Sequence, residues 1–146
     1  IDENHLVEII RKMKRPYVRY TRADEKNVRK ADCLIIDCFG LLSSIYRYGE
    51  IAYIGGGFGV GIHNTLEAAV YGIPVIFGPK YQKFQEAIQL LEAKGAFSVK
   101  DYEELKTLLD RMLTDEVFLR ESGMNASNYV TGNAGATDKI MSMINF

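Results

Sequence analysis

The stretch from Ile51 to Pro79, IAYIGGGFGVGIHNTLEAAVYGIPVIFGP, constrains the fold of this chain more than any other. A short apolar run, Ile51 to Ile54, empties into a loop holding Gly55, Gly56, Gly57, Gly59 and Gly61. His63, Asn64 and Glu67 then open a short helix, and Gly72-Ile73-Pro74 stops it before a second apolar run, Val75 to Phe77. The order is strand, glycine loop, helix, strand. A glycine loop feeding a helix start lets backbone amides approach an anion, and the helix dipole favours negative charge there. The motif therefore points to a nucleotide-phosphate or sugar-phosphate site.

The polar residues behind the loop sharpen that reading. On a helix, His63, Asn64 and Glu67 share one face, while Leu66, Ala69 and Val70 form an apolar stripe suited to core packing. A structural reading stands beside it: Asn64 caps the helix and Glu67 is its capping-box partner three residues on. His63 likewise either meets a phosphate or caps its own loop. The dinucleotide fingerprint does not fit. Asn64 stands where its third glycine belongs, and Gly78-Pro79 replaces the acidic residue expected after the next strand. The P-loop Lys-Ser/Thr is also missing, which excludes an ATPase of that class.

The rest of the chain reads as alternating strands and helices: helix His5 to Lys14, strand Tyr17 to Thr21, a charged loop or single turn over Arg22 to Lys30, and a buried strand Cys33 to Ile36. A helix Leu41 to Tyr48 follows, and after the glycine motif a helix Gln82 to Lys94 closed by Gly95 as its left-handed residue. A strand Phe97 to Val99 comes next. Asp101 and Glu104 form a capping box for a helix Tyr102 to Leu113, Asp115 starts another to about Tyr129, and a last one spans Ala136 to Ile144. Short apolar strands alternating with helices predict an α/β fold with a doubly wound parallel sheet covered on both faces, in a single domain. Such sheets bind ligands beyond the carboxyl ends of their strands.

A net charge of -1 argues against a nucleic-acid binder. No apolar stretch approaches a membrane span, no signal peptide is visible, and no carboxylate cluster has metal-ligand spacing. Cys33 and Cys38 fit neither a metal spacing nor a disulfide framework and read as reduced thiols. The chain opens on Ile1 within an apolar-periodic segment, which reads as a piece of a longer protein cut at a domain junction.

Gly-Gly-Gly-Phe-Gly, Gly61-Ile62-His63-Asn64, Leu66-Glu67-Ala68-Ala69 and Gly72 through Pro79, with Phe84 and Glu86-Ala87 after them, resemble the 3-deoxy-D-manno-octulosonic acid (Kdo) transferases of Gram-negative bacteria. Upstream, Asp37-x-x-Gly40-x-Leu42 and Tyr46 match the same family. The resemblance runs from about Ala31 to Val99, and its Gly-Ile-His-Asn variant looks like those of the Bacteroides group. It implies the Rossmann-like C-terminal, donor-binding half of a two-domain GT-B glycosyltransferase, moving Kdo from CMP-Kdo onto a lipid A precursor with inversion. It implies no cofactor and no donor-bound metal. The general base, the acceptor site and any membrane contact would lie in an N-terminal half outside this chain, at the cytoplasmic face of the inner membrane, so no catalytic residue is expected here and this domain itself would be soluble and cytosolic.

Residue by residue, the expectations are these. Gly57, Gly59, Gly61 and the amides near His63 approach the CMP phosphate or the Kdo carboxylate. Asn64 bonds phosphate or a sugar hydroxyl, and Glu67 accepts from the ribose hydroxyls. Phe39, Gly40 and Leu41 line the base pocket. Lys80 and Gln82 meet the donor sugar as the leaving CMP gains charge, although Lys80 reads equally well as a solvated surface lysine. Tyr81 is placed for stacking. Two further readings stay open: a UDP-sugar GT-B transferase or 2-epimerase, and a non-catalytic nucleotide-binding module.

Overall fold

The structure, a computed structural model, describes residues 3–134, which fall into two compact units meeting in the chain at Ile45 and Tyr46. The predicted helix Ala136 to Ile144 lies outside the described residues.

The first unit holds α1 (Glu3–Lys12), β1 (Tyr17–Arg19), α2 (Glu25–Val28), β2 (Cys33–Ile35) and α3 (Leu42–Ile45). Strands β1 and β2 pair in parallel, with Val18 opposite Leu34. The strand predicted to reach Thr21 stops at Arg19, because Tyr20–Arg22 coil into a 3-10 turn. The charged segment after it makes one helical turn. Asp24 Oδ1 accepts from the amides of Lys26 and Asn27, and Asn27 Oδ1 accepts from the Asp24 amide, so each satisfies groups the helix start leaves open. One expectation fails here: β2 is not buried. Leu34 is 49% exposed, since among the described residues the unit encloses only Leu6 and Val18 of its large apolar side chains.

The second unit holds β3 (Ala52–Ile54), α4 (Leu66–Ala69), β4 (Val75–Phe77), α5 (Gln85–Glu92), β5 (Ala96–Ser98), α6 (Tyr102–Thr114) and α7 (Glu116–Asn133). The strands form one parallel sheet in the order β3-β4-β5. Period-2 alternation sends the side chains of β4 to opposite faces. Val75 and Phe77 join Ala68, Ala69, Ala87, Leu90 and Ala126, drawn from α4, α5 and α7. Ile76 joins Val99 and Met112, with Leu108 and Phe118 against them. The middle strand is thus fully buried on both faces, and this is why it reads as an unbroken apolar run. Complete burial of a Phe77-sized side chain contributes about 2–3 kcal/mol.

Helix α7 docks through small residues. A Cβ on Gly123 would fall into the backbone carbonyl of Gly72, and one on Gly95 would lie 2.6 Å from Ala126 Cα. Gly95 is therefore a packing glycine. The left-handed residue that closes α5 is Lys94, at φ 58, one place before the predicted one. Tyr129 Oη donates to Gln89 Oε1 at 2.6 Å and ties α7 to α5. At the starts of α6 and α7, Asp101 and Asp115 accept from the amides of Glu104 and Phe118, as their spacing foretold. Glu104 returns its carboxylate to the Lys100 amide rather than to Asp101, so the reciprocal arm of the box is displaced by one residue. Among the described residues no helix is long and apolar enough to cross a membrane.

Candidate functional site

The candidate site lies at the carboxyl rim of the three-stranded sheet, where the loops after β3 and β4 meet. Gly56 turns the first loop at φ +90, a conformation that only glycine adopts without strain. Its carbonyl collects the amides of Gly59 (2.8 Å) and Gly61 (3.3 Å), and the His63 amide bonds Gly55 O at 3.2 Å. These three amides are thus occupied within the chain. Gly57 and Gly61 lack side chains for a reason the sequence did not disclose. A Cβ on Gly57 would stand 2.5 Å from Gly78 N, and one on Gly61 would stand 2.9 Å from the Phe84 ring. Gly59 differs, since a Cβ there would meet only Gly56 O at 3.6 Å. It is the predicted glycine that leaves open space before the loop.

The second loop is bound to the first. The Lys80 amide donates to Gly57 O at 2.9 Å, and Gln82 Nε2 donates to Pro79 O at 2.8 Å, holding that side chain along its own turn. Between the loops lies a cleft of about 300 Å3 lined by Gly59, Val60, Lys80, Gln82, Lys83 and Phe84. Three predicted residues, Gly59, Lys80 and Gln82, therefore share one cavity. Lys83, Phe84 and Val60 were missed as lining groups; their closeness in sequence to Lys80 and to the loop was the available signal. Tyr81 turns inward, its ring 5.4 Å from that of Phe77, so it packs on the core instead of standing free to stack. A larger hollow of about 800 Å3 runs beside β5, where Lys94, Lys100 and Arg111 alternate with Asp101, Glu103 and Glu104. Its mixed charge gives no preference for an anion.

His63 and Asn64 precede α4 instead of riding on it. Asn64 Oδ1 accepts from the Leu66 amide at 2.9 Å, and its Nδ2 donates to Glu67 Oε1 at 3.0 Å. The helix thus begins later than predicted, and the expected shared helical face is a turn locked by a side-chain pair. The capping role and the polar cluster are one arrangement. It aims Glu67 while leaving its second oxygen uncommitted by that bond. Burial, and next the negative charge of Glu67, push the Tyr46 phenol up. Just before α4, Thr65 is buried with its Oγ1 unpartnered among the described residues.

Gly40 and Leu41 belong to the first unit. Gly40 lies at φ +86, and the Leu41 carbonyl accepts from the Ser44 and Ile45 amides to start α3. Upstream of them, the wholly buried carboxylate of Asp37 accepts from Thr21 Oγ1 (2.6 Å), the Thr21 amide (2.9 Å) and Arg19 Nε (2.6 Å). The Thr21 hydroxyl above all, with the Thr21 amide and the Arg19 guanidinium, holds it well below the usual carboxylate range against the opposing cost of burial. This cluster fastens the end of β1 to the end of β2.

A parallel sheet covered on both faces, with a glycine loop and a basic turn at its carboxyl rim, defines a Rossmann-like α/β fold. The fold is that of the C-terminal CMP-Kdo binding domain of WaaA from Acinetobacter baumannii, at a TM-score of 0.73 and 18% identity over 87% of this chain and 67% of that one. By sequence the chain is a relative of the Kdo transferases. It is 42% identical to the 3-deoxy-D-manno-octulosonic acid transferase of Aquifex aeolicus over 87 residues, 58% of this chain and 25% of that protein. It is 32% identical to that of Rickettsia bellii over 116 residues, 77% of this chain and 28% of the other. With the Chlamydia muridarum enzyme it shares 33% over 94 residues, 63% of this chain and 22% of that one. The chain thus spans about a quarter of the length of these relatives. No protein-family model matches it.

Proposed function

We propose that this chain is the donor-binding domain of a Kdo transferase and holds CMP-Kdo at the rim where the loops after β3 and β4 meet. The cleft carries the reading: among the described residues its lining includes two lysines and no carboxylate, beside an open glycine. Such a rim suits an anionic nucleotide sugar. Lys80 neutralises charge that grows on the departing CMP, and Gln82, fixed to Pro79, keeps the turn bearing that lysine in place. Glu67, aimed by Asn64, accepts from the ribose hydroxyls. The general base, the lipid A precursor and contact with the inner membrane's cytoplasmic face belong to residues beyond this chain, so the chain alone does not turn over. Transfer proceeds with inversion.

Calorimetric titration with CMP, UMP and AMP tests the reading. CMP binds most tightly if it holds, and Glu67→Ala weakens that binding by about 1–3 kcal/mol, the cost of polar partners left unpaired, while melting is nearly unchanged. Equal or absent binding of the three nucleotides refutes it, and a preference for UMP supports a UDP-sugar enzyme instead.

A further inference from the structure

The cleft beside Gly59 is cationic from two positions. Lys80 and Lys83 both line it, and among the described residues no acidic one does. Neither lysine joins an ion pair or a side-chain hydrogen bond among the described residues, whereas Lys100 and Lys106 are each matched with a carboxylate four residues on. The turn that bears them is held at three points: the Lys80 amide on Gly57 O, Gln82 on Pro79 O, and the Phe84 ring against Gly61. Two unpaired ammonium groups on one restrained turn repel each other and leave a positive field in the cleft. A ligand with a single anionic group relieves that repulsion at one lysine. A ligand with two separated anions satisfies both.

We propose that Lys80 and Lys83 form a two-anion receptor in which Lys83 is the specificity-determining second cation. Lys80 meets the phosphodiester and Lys83 the carboxylate of a nucleotide-linked sugar acid, so the cleft holds such a donor more tightly than the nucleoside monophosphate alone. This rests on the donor-binding reading and adds to it a basis for discrimination, which is a difference of affinities rather than affinity itself.

The experiment is ligand-observed NMR titration of the 146-residue chain with CMP and with freshly prepared CMP-Kdo, each followed by its own resonances. Wild type, Lys83→Met and Lys83→Arg are compared at about 50 and about 300 mM salt, where screening differs. Lys83→Met should weaken CMP-Kdo by about 5- to 20-fold, as for a lost charge-assisted contact, and CMP by less than about 2-fold. Lys83→Arg should restore most of the loss, a recovery that a purely structural lysine would not show, and the gap should narrow at high salt. Equal losses on the two ligands, or none, overturn the receptor while wild-type CMP binding keeps the donor-binding reading standing. Wild type binding neither ligand brings down both.

Discussion

Replacing Gly57 with alanine isolates the contact on which the site's geometry depends. The new Cβ would lie 2.5 Å from Gly78 N, 2.7 Å from its Cα and 2.9 Å from its carbonyl carbon. All three are backbone atoms, so no rotamer change relieves the overlap. The two loops must part by most of an ångström, against the bond from the Lys80 amide to Gly57 O and against Gly78, whose own Cβ position is blocked by Gly57 and Phe58. Overpacking of this kind costs about 1–3 kcal/mol. Gly57 is not left-handed, so the stiffer unfolded chain of the alanine variant returns about 0.4–1 kcal/mol. With central values of ~2 and ~0.7 kcal/mol the net loss is about 1.3 kcal/mol, and at ~2–4 °C per kcal/mol for a chain of this size the midpoint falls by about 3–5 °C. Gly59→Ala is the control: its Cβ meets only Gly56 O at an ordinary 3.6 Å, and with the same entropic gain and no overlap its midpoint stays level or rises by up to about 4 °C. Thermal melts followed by circular dichroism read both variants, and CMP titration of Gly57→Ala should show weakened binding as Lys80 is displaced. If Gly57→Ala melts with wild type, or Gly59→Ala falls equally far, the contact between the loops is not what requires glycine.

Two other perturbations probe the polar groups. Asp37 has a folded pKa held below its ordinary 3.8, so its stabilising contribution is complete above that value and is lost as pH falls through the folded pKa. Melting wild type and Asp37→Asn between neutral pH and about pH 2 should show a gap that is widest near neutrality and shrinks in acid; a gap that is constant or grows refutes this sign. Among the described residues Thr65 Oγ1 is buried without a partner, so Thr65→Val should leave stability unchanged or raise it by up to about 1–2 kcal/mol in denaturant unfolding, whereas a clear loss would show that the hydroxyl is bonded.

Much of the fold was legible because its determinants are local. The apolar run Val75–Phe77 announced a strand buried on both faces, and Asp101 and Asp115 announced helix starts, since a cap and the amide it satisfies lie within four residues. Asn64 and Glu67 were legible as a pair for the same reason, although the turn that joins them is not the helical face expected. Leu34 misled because an apolar strand looks alike whether or not other elements cover it.

The sequence by itself determined the alternation of strands and helices, the direction of the sheet's connections and the rim at which glycine and lysine gather, because periodicity, caps and turns are written in neighbouring residues. Tertiary structure decided why particular glycines stand where they do. Gly57 faces Gly78, Gly61 faces Phe84, Gly95 faces Ala126 and Gly123 faces Gly72, each pair meeting across an approach too close for a side chain. It also decided that Lys83 shares a cleft with Lys80 while Tyr81 turns to the core. Which surfaces press together is fixed only when separate elements pack, and no local pattern encodes that distance.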